Sequence, residues 1–493
     1  MSSVTIGQTH EISEESKREA DSLKNEGNQS LQEYKYRNAV ELYTAAIEIY
    51  PTAIYYANRA AAHMKTESYG LAIKDATNAI GMDPNYVKAY YRRGSAELAL
   101  GHYKAALKNF RLVVQMKPQD KDARMKYKLC DKLVKEAAFA AAIQSERNLP
   151  ISETIDVDSI VIDSSYDGPR LADDVQSTLP DFIPELMERF KKGKLLHRKY
   201  VILILLEMKK LFSSLPSLLR ITLPDADADD AHITVCGDTH GQFYDVCNIF
   251  NLNGMPSEEN PYLFNGDFVD RGSFSFEVVM TLFAMKLIYP RHVHLLRGNH
   301  ESKNMNKIYG FEGEIKHKYD ETVMQLFTEV FNWLPLAAVL DNRVLVVHGG
   351  LFGEDDVSLE DIEKIERNRE PPESGYMSDL MWSDPQPFAG RGPSKRGIGL
   401  SFGPDITRAF LEYNKLDLLV RSHEVKDEGY LVEHDGKCIT VFSAPNYCDQ
   451  MGNKGAFIRF EKNMVPIFTQ FTAVEHPPIR PMAYAANMGG MFG

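Results

Sequence analysis

The sequence has few of the features that mark secreted or membrane proteins. Its 493 residues include only five cysteines, an odd number with no C-x-x-C pair, and this usage is typical of a reducing compartment. The opening residues lack a basic segment followed by an apolar core, and the longest apolar run, Val201–Leu206, is far too short to cross a bilayer. We therefore expect a protein without a membrane span, located in the cytoplasm with the nucleus as a second location.

A surplus of basic residues is also missing. Residues 1–150 carry 22 Lys and Arg against 18 Asp and Glu, whereas the remaining residues carry 34 against 51, for a net charge of −13. Binding to a nucleic-acid backbone depends on Lys and Arg that neutralise phosphates, so the acidic C-terminal part argues against nucleic acid as a partner. The length predicts two to four domains, and a hydrophobic content of 44% is enough for packed cores.

A helical repeat is present in the N-terminal part of the chain. Pro51, Pro84 and Pro118 lie 33 and 34 residues apart, and each follows a similar apolar helical pattern. Small or aromatic residues recur in register within these frames: Ala39, Tyr43 and Ala46; Ala72, Ala76 and Ala79; Ala106 and Phe110. Arrays of this period stack helical hairpins that bury a continuous core. The pattern resembles the tetratricopeptide repeat over about residues 20–120, which implies an all-α superhelix.

Cationic and amide side chains recur on the first helix of each repeat: Lys24 and Asn28, Asn58, and Lys88 and Arg92. Residues four apart share a helix face, and two cationic pairs that flank amides suit a carboxylate. The spacing is similar to the carboxylate clamp of tetratricopeptide co-chaperones, which implies the acidic C-terminal tail of the 90-kDa heat-shock chaperone as a partner, and the 70-kDa chaperone as a second. The alternative is that these are solvated helix faces.

Five short polar motifs in the C-terminal part each follow an apolar, β-branched run. That pattern predicts five strands that deliver polar residues where each strand ends, which is the edge where ligands bind in open α/β sheets. The motifs are G-D-T-H-G (237–241), G-D-F-V-D-R-G (266–272), R-G-N-H-E (297–301), H-G-G (348–350) and R-S-H-E (421–424).

These motifs contain the ligand types that hard or borderline divalent ions prefer, namely carboxylates, imidazoles and an amide. Asp238 and His240 can reach one metal, and Asp267 would bridge to a second. Two ions lower the pKa of a water between them, so that it can attack phosphorus in line. A lone D-x-H would be weak evidence, but six suitable ligands at five strand ends are hard to explain as structure alone. The predicted ligands are Asp238, His240, Asp267, Asn299, His348 and His423.

Residues beside the ligands suit the remaining steps of phosphate hydrolysis. His300 directly follows Asn299 and could protonate the leaving oxygen, while Asp270 could fix the tautomer of its ring. Arg271, next to Asp270, offers a planar fork for phosphate oxygens. The sequence therefore predicts a proton donor and a phosphate ligand close to the metals.

Three further residues are candidates for binding the substrate phosphate. Arg396 lies in S-K-R-G, and Tyr447 in S-A-P-N-Y-C could donate its hydroxyl or be a packed aromatic. Arg421 lies two residues before His423, so alternation along a strand would give both side chains one face. Arg421 could equally form a structural ion pair.

The motifs, together with S-K-R-G and S-A-P-N-Y, closely resemble the phosphoprotein phosphatase family of serine/threonine phosphatases over about residues 180–475. The resemblance implies a two-sheet β-sandwich flanked by helices and a dinuclear site with manganese, iron or zinc. It also implies hydrolysis of phosphoserine and phosphothreonine in proteins without a covalent enzyme intermediate. The expected fold class is multidomain: an all-α tetratricopeptide superhelix plus an α/β metallophosphoesterase.

The rest of the chain completes this division. Residues 144–179 lose periodicity and gain Ser, Asp and Pro, which predicts a linker. The acidic run Asp225–Asp230 lacks the Gly and the terminal Glu of a calcium loop, and we interpret it as a solvated turn. The expected segments are a disordered N-terminus (1–19), three repeats with a capping helix (20–143), the linker (144–179), the catalytic domain (180–475) and a C-terminal regulatory tail (476–493).

The resemblance also implies autoinhibition. The repeat domain is expected to cover the catalytic groove, with Glu67 reaching toward Arg271 as a mimic of the substrate's charge. Acidic chaperone tails in the clamp would release this contact, and the apolar C-terminal segment would help to hold the closed state. Two alternatives stay open: a related metallophosphoesterase that acts on nucleotides, and a chaperone-bound adaptor whose phosphatase body is mainly a scaffold.

Overall fold

The computed structural model describes residues 14–143, 149–171, 175–223 and 231–485. These residues divide into two compact units: an N-terminal unit of residues 14–143 with Lys395–Gly397, and a C-terminal unit made of the remainder. The predicted turn at Asp225–Asp230 lies outside the described residues, as do residues 1–13 and 486–493. Within the described ranges, no helix is both long and apolar enough to cross a membrane.

Seven helices build the described part of the repeat array. They are α1 (Glu14–Gln32), α2 (Tyr36–Ile49), α3 (Ala53–Lys65), α4 (Tyr69–Met82), α5 (Val87–Ala99), α6 (Tyr103–Met116) and α7 (Lys121–Ile143). Helices α2, α4 and α6 end two residues before Pro51, Pro84 and Pro118, because the residue before a proline is disfavoured in helical conformation. The disorder expected for residues 1–19 is wrong for residues 14–19, which belong to α1. Glu14 and Glu15 stabilise the first turn, because negative charges interact favourably with the positive N-terminal end of a helix dipole.

The residues that recur in register form the interior of the array. All eight are fully buried: Ala39, Tyr43, Ala46, Ala72, Ala76, Ala79, Ala106 and Phe110. Where α2 and α6 present a large ring, the preceding helix has a glycine. A Cβ on Gly27 would lie 2.7 Å from the Tyr43 ring, and one on Gly94 would lie 3.3 Å from the Phe110 ring. The second repeat has two alanines, Ala60 and Ala76, at the equivalent positions, so the volumes on paired helices are matched within each repeat.

A buried ion pair links the two helices of the second repeat. Arg59 of α3 makes a two-pronged contact with Asp75 of α4, with Nε–Oδ2 2.7 Å and Nη2–Oδ1 2.8 Å. The Asp75 side chain is 4% exposed and that of Arg59 is 18% exposed. In the third repeat, Arg93 Nε donates to the neutral amide oxygen of Asn109 at 3.0 Å. The same two register positions therefore join paired helices in both repeats.

The C-terminal unit contains the remaining helices and all the strands of the described chain. The helices are α8 (Ile151–Thr154), α9 (Val175–Lys191), α10 (Arg198–Ser213), α11 (Phe243–Asn253), α12 (Ser275–Ile288), α13 (Lys303–Tyr309), α14 (Phe311–Lys318), α15 (Glu321–Asn332), α16 (Leu359–Glu363), α17 (Tyr376–Trp382) and α18 (Pro404–Asn414). The strands are β1 (Leu218–Ile221), β2 (His232–Cys236), β3 (Tyr262–Phe264), β4 (Val293–Leu295), β5 (Ala337–Leu340), β6 (Val344–Val347), β7 (Asp384–Pro385), β8 (Arg391–Pro393), β9 (Leu400–Phe402), β10 (Leu418–Arg421), β11 (Tyr430–Glu433), β12 (Cys438–Val441), β13 (Gly455–Glu461) and β14 (Pro466–Phe471).

The strands form two main sheets and a small third one. The six-stranded sheet has the order β1-β5-β6-β10-β12-β11, the five-stranded sheet β14-β13-β2-β3-β4, and the small sheet β7-β9-β8. The five strands predicted ahead of the motifs are confirmed as β2, β3, β4, β6 and β10. Within each main sheet these strands are parallel, so their carboxyl ends lie at one edge.

Both faces of strands β2 and β3 in the five-stranded sheet are buried. Ile233 and Val235 of β2 belong to an apolar layer that also contains Val346 of the six-stranded sheet. Cys236 of β2 and Phe264 of β3 instead belong to the core under helices α9, α10, α12 and α15. Since successive residues of a strand point to opposite faces, the apolar runs in these strands fill both layers. The predicted two-sheet sandwich flanked by helices is confirmed.

Part of the predicted linker is a packed element of the C-terminal unit. Half-buried apolar residues between Ile151 and Tyr166 pack against the helical core. Glu329 of α15 accepts hydrogen bonds from the Ile151 amide at 2.7 Å and from the Ser152 hydroxyl at 2.5 Å. The linker prediction is therefore wrong for residues 149–171, because isolated apolar residues anchor this stretch although it lacks the periodicity of a regular element.

The ion pair of the second repeat yields a stability prediction. Asp75→Ala leaves Arg59 half-buried without its carboxylate, and we expect a loss of about 3 kcal/mol in the free energy of unfolding, because removing one partner of a buried pair leaves a charge uncompensated. Urea unfolding of the full-length chain, followed by far-UV circular dichroism, measures this loss. Asp75→Asn restores the contact seen in the third repeat and should cost less than half as much. Equal losses in both variants would contradict the prediction.

Candidate metal and phosphate site

The five polar motifs come together where the parallel strands end. Strands β2, β3 and β4 carry the first three motifs, and β6 and β10 of the other sheet carry the last two. A backbone bridge between Asp238 and Phe442 joins the sheets at this edge. The six predicted ligands are all buried, and none is more than 6% exposed. The structure therefore brings together all the metal ligands that the sequence predicts.

Two groups of candidate ligand atoms in the described residues share Asp267. The first group comprises His240, Asp267 and His300, with its ligand atoms within 4.8 Å of one another. His240 Nε2 lies 3.6 Å from an Asp267 oxygen and 3.7 Å from an Asp238 oxygen. Asp238, His240 and Asp267 thus face a common space, as predicted for one ion.

The second group comprises Asp267, His348 and His423. His348 Nε2 lies 3.3 Å from the Asp267 carboxylate and 2.9 Å from Asn299 Oδ1. It also lies 3.2 Å from His423 Nδ1. Four predicted ligands therefore converge on a second space, with the Asp267 carboxylate between the two groups.

Backbone carbonyls set the orientation of two of these imidazoles. His240 Nδ1 lies 3.0 Å from the Val269 carbonyl, and His348 Nδ1 lies 2.8 Å from the Asn265 carbonyl. A carbonyl can only accept, so each Nδ1 carries the hydrogen and each Nε2 presents a lone pair to the site. This arrangement is typical of histidines that ligate metals.

The electrostatics of the buried groups favour bound cations. Burial raises the pKa of Asp238 to about 8 and lowers the pKa values of His240 and His348. Burial thus opposes the charge of the carboxylate and keeps the imidazoles neutral, and a divalent ion in the same space would stabilise the ionised carboxylate. The donor set of carboxylates, neutral imidazoles and one amide fits two divalent ions.

Glu301 holds two of the ligand loops together. Its carboxylate accepts backbone N–H bonds from Asp267 and Phe268, both at 2.8 Å, and from Gly298 at 2.9 Å. Glu301 is fully buried, and it connects the loop after β3 with the loop after β4. Glu301 lies in the R-G-N-H-E motif, but the sequence predicted no role for it.

His300 and Asp270 form the predicted pair. His300 Nδ1 lies 2.8 Å from Asp270 Oδ2. The other oxygen of Asp270 accepts the Phe311 backbone N–H at 2.9 Å, and burial raises the pKa of Asp270 to about 7. With Nδ1 engaged by Asp270, Nε2 is the ring atom that faces the ligand groups.

Arg271 is buried beside this pair. Its guanidinium carbon lies 3.9 Å from the centroid of the Tyr309 ring, and its amide donates to the Tyr309 carbonyl at 3.1 Å. The Arg271 carbonyl accepts a hydrogen bond from Met482 at 2.7 Å, so the described part of the predicted C-terminal tail lies against this loop. Neither Tyr309 nor Met482 was predicted to contribute to the site.

Several site residues have left-handed backbone conformations, which L-residues rarely adopt. They are His240 (φ 41°), Asp267 (φ 51°), Asp270 (φ 69°), Arg271 (φ 69°) and His423 (φ 67°). Each such residue costs roughly 1–3 kcal/mol and persists only where surrounding contacts enforce it. Each of these five residues lies in a loop that follows β2, β3 or β10, so the loops that carry the predicted chemistry hold strained backbone.

Arg421 does not match its prediction as a phosphate ligand. It is fully buried, and it donates to Asp384 and Glu424 carboxylates at 2.8 Å each and to the Gly349 carbonyl at 2.7 Å. With its fork committed to these acceptors, Arg421 is a structural ion-pair residue. It connects the loop of His348 to the loop of His423.

The other two phosphate candidates differ in location. Tyr447 is buried, and its ring centroid lies 5.1 Å from that of His240, so the ring is at the metal site. Arg396 groups with the N-terminal unit, and its role in phosphate binding stays a prediction.

The clamp candidates lie in the N-terminal unit on α1, α3 and α5. Asn58 donates to Asn28 Oδ1 at 3.1 Å, and the Tyr43 hydroxyl donates to the same oxygen at 2.7 Å. Lys24 pairs with Asp21 at 3.2 Å. Arg92 Nε is buried and has no hydrogen-bond partner among the described residues, and burial lowers the pKa of Arg92. Lys88, the fifth candidate, is exposed.

Glu67, the predicted autoinhibitory residue, lies in the turn between α3 and α4. Its φ is 57°, and its amide donates to the Met64 carbonyl at 3.4 Å. Its action on Arg271 stays a prediction.

Family comparisons agree with both units. Residues 231–427 match the calcineurin-like phosphoesterase family. Residues 87–120 match the tetratricopeptide repeat, and residues 127–220 match the PPP5 TPR repeat region. The last match includes the packed stretch that the sequence predicted as a linker.

Named relatives resemble nearly the whole chain. It is 55% identical to the Homo sapiens serine/threonine-protein phosphatase 5 over 472 residues, which covers 95% of this chain and 93% of the relative. It is 52% identical to serine/threonine-protein phosphatase T of Trypanosoma brucei brucei over 473 residues, which covers 96% and 98%. A solved Saccharomyces cerevisiae serine/threonine phosphatase with similarity to human phosphatase PP5 has a TM-score of 0.60 at 46% identity, covering 62% of this chain and 99% of that one. The chain therefore belongs to the serine/threonine-protein phosphatase 5 family and is a protein serine/threonine phosphatase.

Proposed function

We propose that this phosphatase hydrolyses phosphoserine and phosphothreonine with two divalent ions held at the groups that share Asp267, and that His300 of the first group is the proton donor and not a metal ligand. The observation that carries the proposal is the convergence of buried carboxylates, neutral imidazoles and an amide on two adjacent spaces. When bound, such ions polarise phosphoryl oxygens and supply a nucleophilic water; this donor set suits manganese, iron and zinc alike. The proposed ligands are Asp238, His240 and Asp267 for one ion and Asp267, Asn299, His348 and His423 for the other.

Arg271 binds the phosphate in this proposal. A guanidinium fork donates two parallel hydrogen bonds to phosphate oxygens. The Tyr309 ring packs against the guanidinium at 3.9 Å and sets the plane of the fork. Tyr447, next to the His240 ring, is a second donor to the phosphate. Arg396 is proposed as a third, on the sequence motif alone.

His300 supplies the proton that the leaving group needs. As the bond from phosphorus to the serine oxygen breaks, Nε2 gives its proton to that oxygen, and the neutral ring then takes a proton from solvent. The oxygen of a water molecule forms the new bond to phosphorus and releases its own proton. Asp270 accepts the Nδ1 hydrogen at 2.8 Å, so it fixes the tautomer and stabilises the cationic ring.

This role predicts the effect of removing the proton donor. His300→Asn and Asp270→Asn should each lower kcat on a phosphoserine peptide by about 10²–10⁴-fold, the usual contribution of general acid catalysis. Metal content, measured by plasma mass spectrometry on the same samples, should stay at the wild-type level. Near wild-type kcat in both variants would remove His300 from the mechanism and leave the reaction without its proposed acid.

We also propose that the clamp on α1, α3 and α5 binds the acidic C-terminal tail of the 90-kDa heat-shock chaperone, with the 70-kDa chaperone as a second partner. The buried Arg92 Nε without a partner among the described residues supports this proposal, since such an atom is costly unless a ligand satisfies it. Asn28 and Asn58 are already hydrogen-bonded to each other and offer their remaining amide hydrogens to a carboxylate.

The clamp proposal predicts the affinity of a tail peptide. Arg92→Ala should weaken binding of an acidic chaperone tail peptide by about tenfold or more, because a hydrogen bond to a charged group contributes roughly 1.5–3 kcal/mol. Isothermal titration calorimetry measures the affinity. Lys108→Ala, which removes an exposed charge from α6, serves as the matched control and should bind normally. A tail peptide with an amidated C-terminus should bind the wild type weakly, with an affinity similar to that of the unmodified peptide for Arg92→Ala. Equal affinities for all combinations of peptide and variant would exclude the clamp.

We propose, in addition, that the repeats restrain the phosphatase, and that clamp occupancy relieves this restraint. Glu67 is the proposed inhibitory side chain, for the reason given by the sequence: an acid there would mimic the charge of the substrate. This proposal rests on the family pattern and on the acidic residue in a turn with φ 57°.

The restraint predicts activation by truncation. A chain that begins at Leu149 keeps the contacts of Ile151 and Ser152 with Glu329, so its catalytic unit retains its native packing. We expect its kcat/KM on a phosphopeptide to exceed that of the full chain by at least about fivefold, in the range of typical coupling energies. Glu67→Gln in the full chain should give part of this gain. Unchanged turnover in the truncated chain would exclude autoinhibition by the repeats.

A further inference from the structure

We propose that Asn306, on the short helix α13, is a positioning residue for the proton donor His300. The inference rests on the proposed role of His300 as the acid. Asn306 lies six residues after His300 and 36 after Asp270, and its side chain contacts both. It is 1% exposed, so it acts on the reaction only through these neighbours.

The side-chain amide of Asn306 donates to two oxygens of the acid pair. Nδ2 lies 3.2 Å from Asp270 Oδ2 and 2.7 Å from the His300 carbonyl. Asp270 Oδ2 is the same oxygen that accepts from His300 Nδ1 at 2.8 Å. One amide group thus fixes both the backbone that carries the imidazole and the carboxylate that orients it.

The orientation of this amide has a cost that stability alone does not explain. Asn306 Oδ1 is buried and has no hydrogen-bond partner within the described ranges, and a buried unsatisfied polar atom costs free energy. The reverse orientation would place Oδ1 against two acceptor oxygens and would break both donated bonds. The two donated hydrogen bonds to Asp270 and His300 therefore fix the orientation of the amide, although its oxygen is left without a partner within the described ranges.

The same face of α13 also supports the phosphate ligand. Tyr309 lies three residues after Asn306, and residues three apart share a helix face. Its carbonyl accepts from the Arg271 amide at 3.1 Å, and its ring packs against the Arg271 guanidinium at 3.9 Å. The Tyr309 ring also lies beside the proton donor, with its centroid 5.1 Å from that of the His300 ring, so Tyr309 contacts both the phosphate ligand and the acid.

The test is the dependence of kcat/KM on the leaving group. Asn306→Leu keeps a similar shape but donates no hydrogen bond. Aryl phosphates whose phenols span a range of pKa values give the slope of log(kcat/KM), and a phosphoserine peptide extends the series to a poor leaving group. A misplaced acid slows the reaction most where the leaving oxygen needs a proton, so we expect a steeper slope. For Asn306→Leu, kcat/KM should fall by about tenfold or more on the peptide and by less than about threefold on p-nitrophenyl phosphate.

Lys303→Ala, at an exposed position of the same helix, is the control. It should leave kcat/KM for every substrate, and therefore the slope, at the wild-type value, because it removes a solvent-exposed side chain. If Asn306→Leu lowers kcat/KM for all substrates by one factor, or leaves it at the wild-type value for all of them, the positioning role is overturned. Far-UV circular dichroism and metal content of each variant identify any loss that comes from unfolding.

His300→Asn separates this inference from the proposed function. If His300→Asn gives the wild-type slope, His300 is not the acid and the proposed mechanism fails. If His300→Asn steepens the slope and Asn306→Leu does not, the mechanism stands and only the role of Asn306 fails. An Asn306→Leu slope between those of the wild type and His300→Asn supports both.

Discussion

Much of the catalytic site depends on the backbone hydrogen bonds that one buried carboxylate accepts. Glu301 holds three backbone N–H groups from two loops. One of these loops carries Asp267, which both ligand groups share, and the other carries Asn299 and His300. Because the carboxylate binds main chain, the distance between the loops is fixed independently of the ligand side chains. The strained φ values at Asp267 and elsewhere are tolerated because such contacts outweigh their cost.

The sequence predicted what depends on local order. The strands before Asp238, Asp267 and His348 are short apolar runs, and polar residues directly after parallel strands must meet at one edge. The helical repeats could also be predicted from the sequence, because the prolines and the small residues recur at a fixed spacing along the chain. The pairing of His300 with Asp270 was predicted from residue types alone, and the structure confirms the contact at 2.8 Å.

The sequence did not predict what depends on distant contacts or on backbone conformation. No sequence pattern in residues 303–309 indicates that Asn306 contacts Asp270 or that Tyr309 contacts Arg271. These contacts form only when α13 packs against the loop after β3. Arg421 has the right neighbours for a phosphate ligand, yet its guanidinium donates to Glu424 of its own motif and to Asp384, 37 residues earlier in the chain. The stretch from Ile151 to Tyr166 looked like a linker because its anchoring residues follow no period.

The matched volumes on paired helices of the repeats have a consequence for how this array can diverge. Gly27 faces Tyr43 and Gly94 faces the Phe110 ring, while the middle repeat has Ala60 and Ala76 at the same positions. The first helix of the middle repeat, moved to either neighbour, would bring the Ala60 methyl group against a ring, whereas its second helix would place Ala76 opposite a glycine and leave a void. The three hairpins therefore have the same backbone fold, but the sizes of their paired side chains prevent an exchange of single helices between the middle repeat and its neighbours.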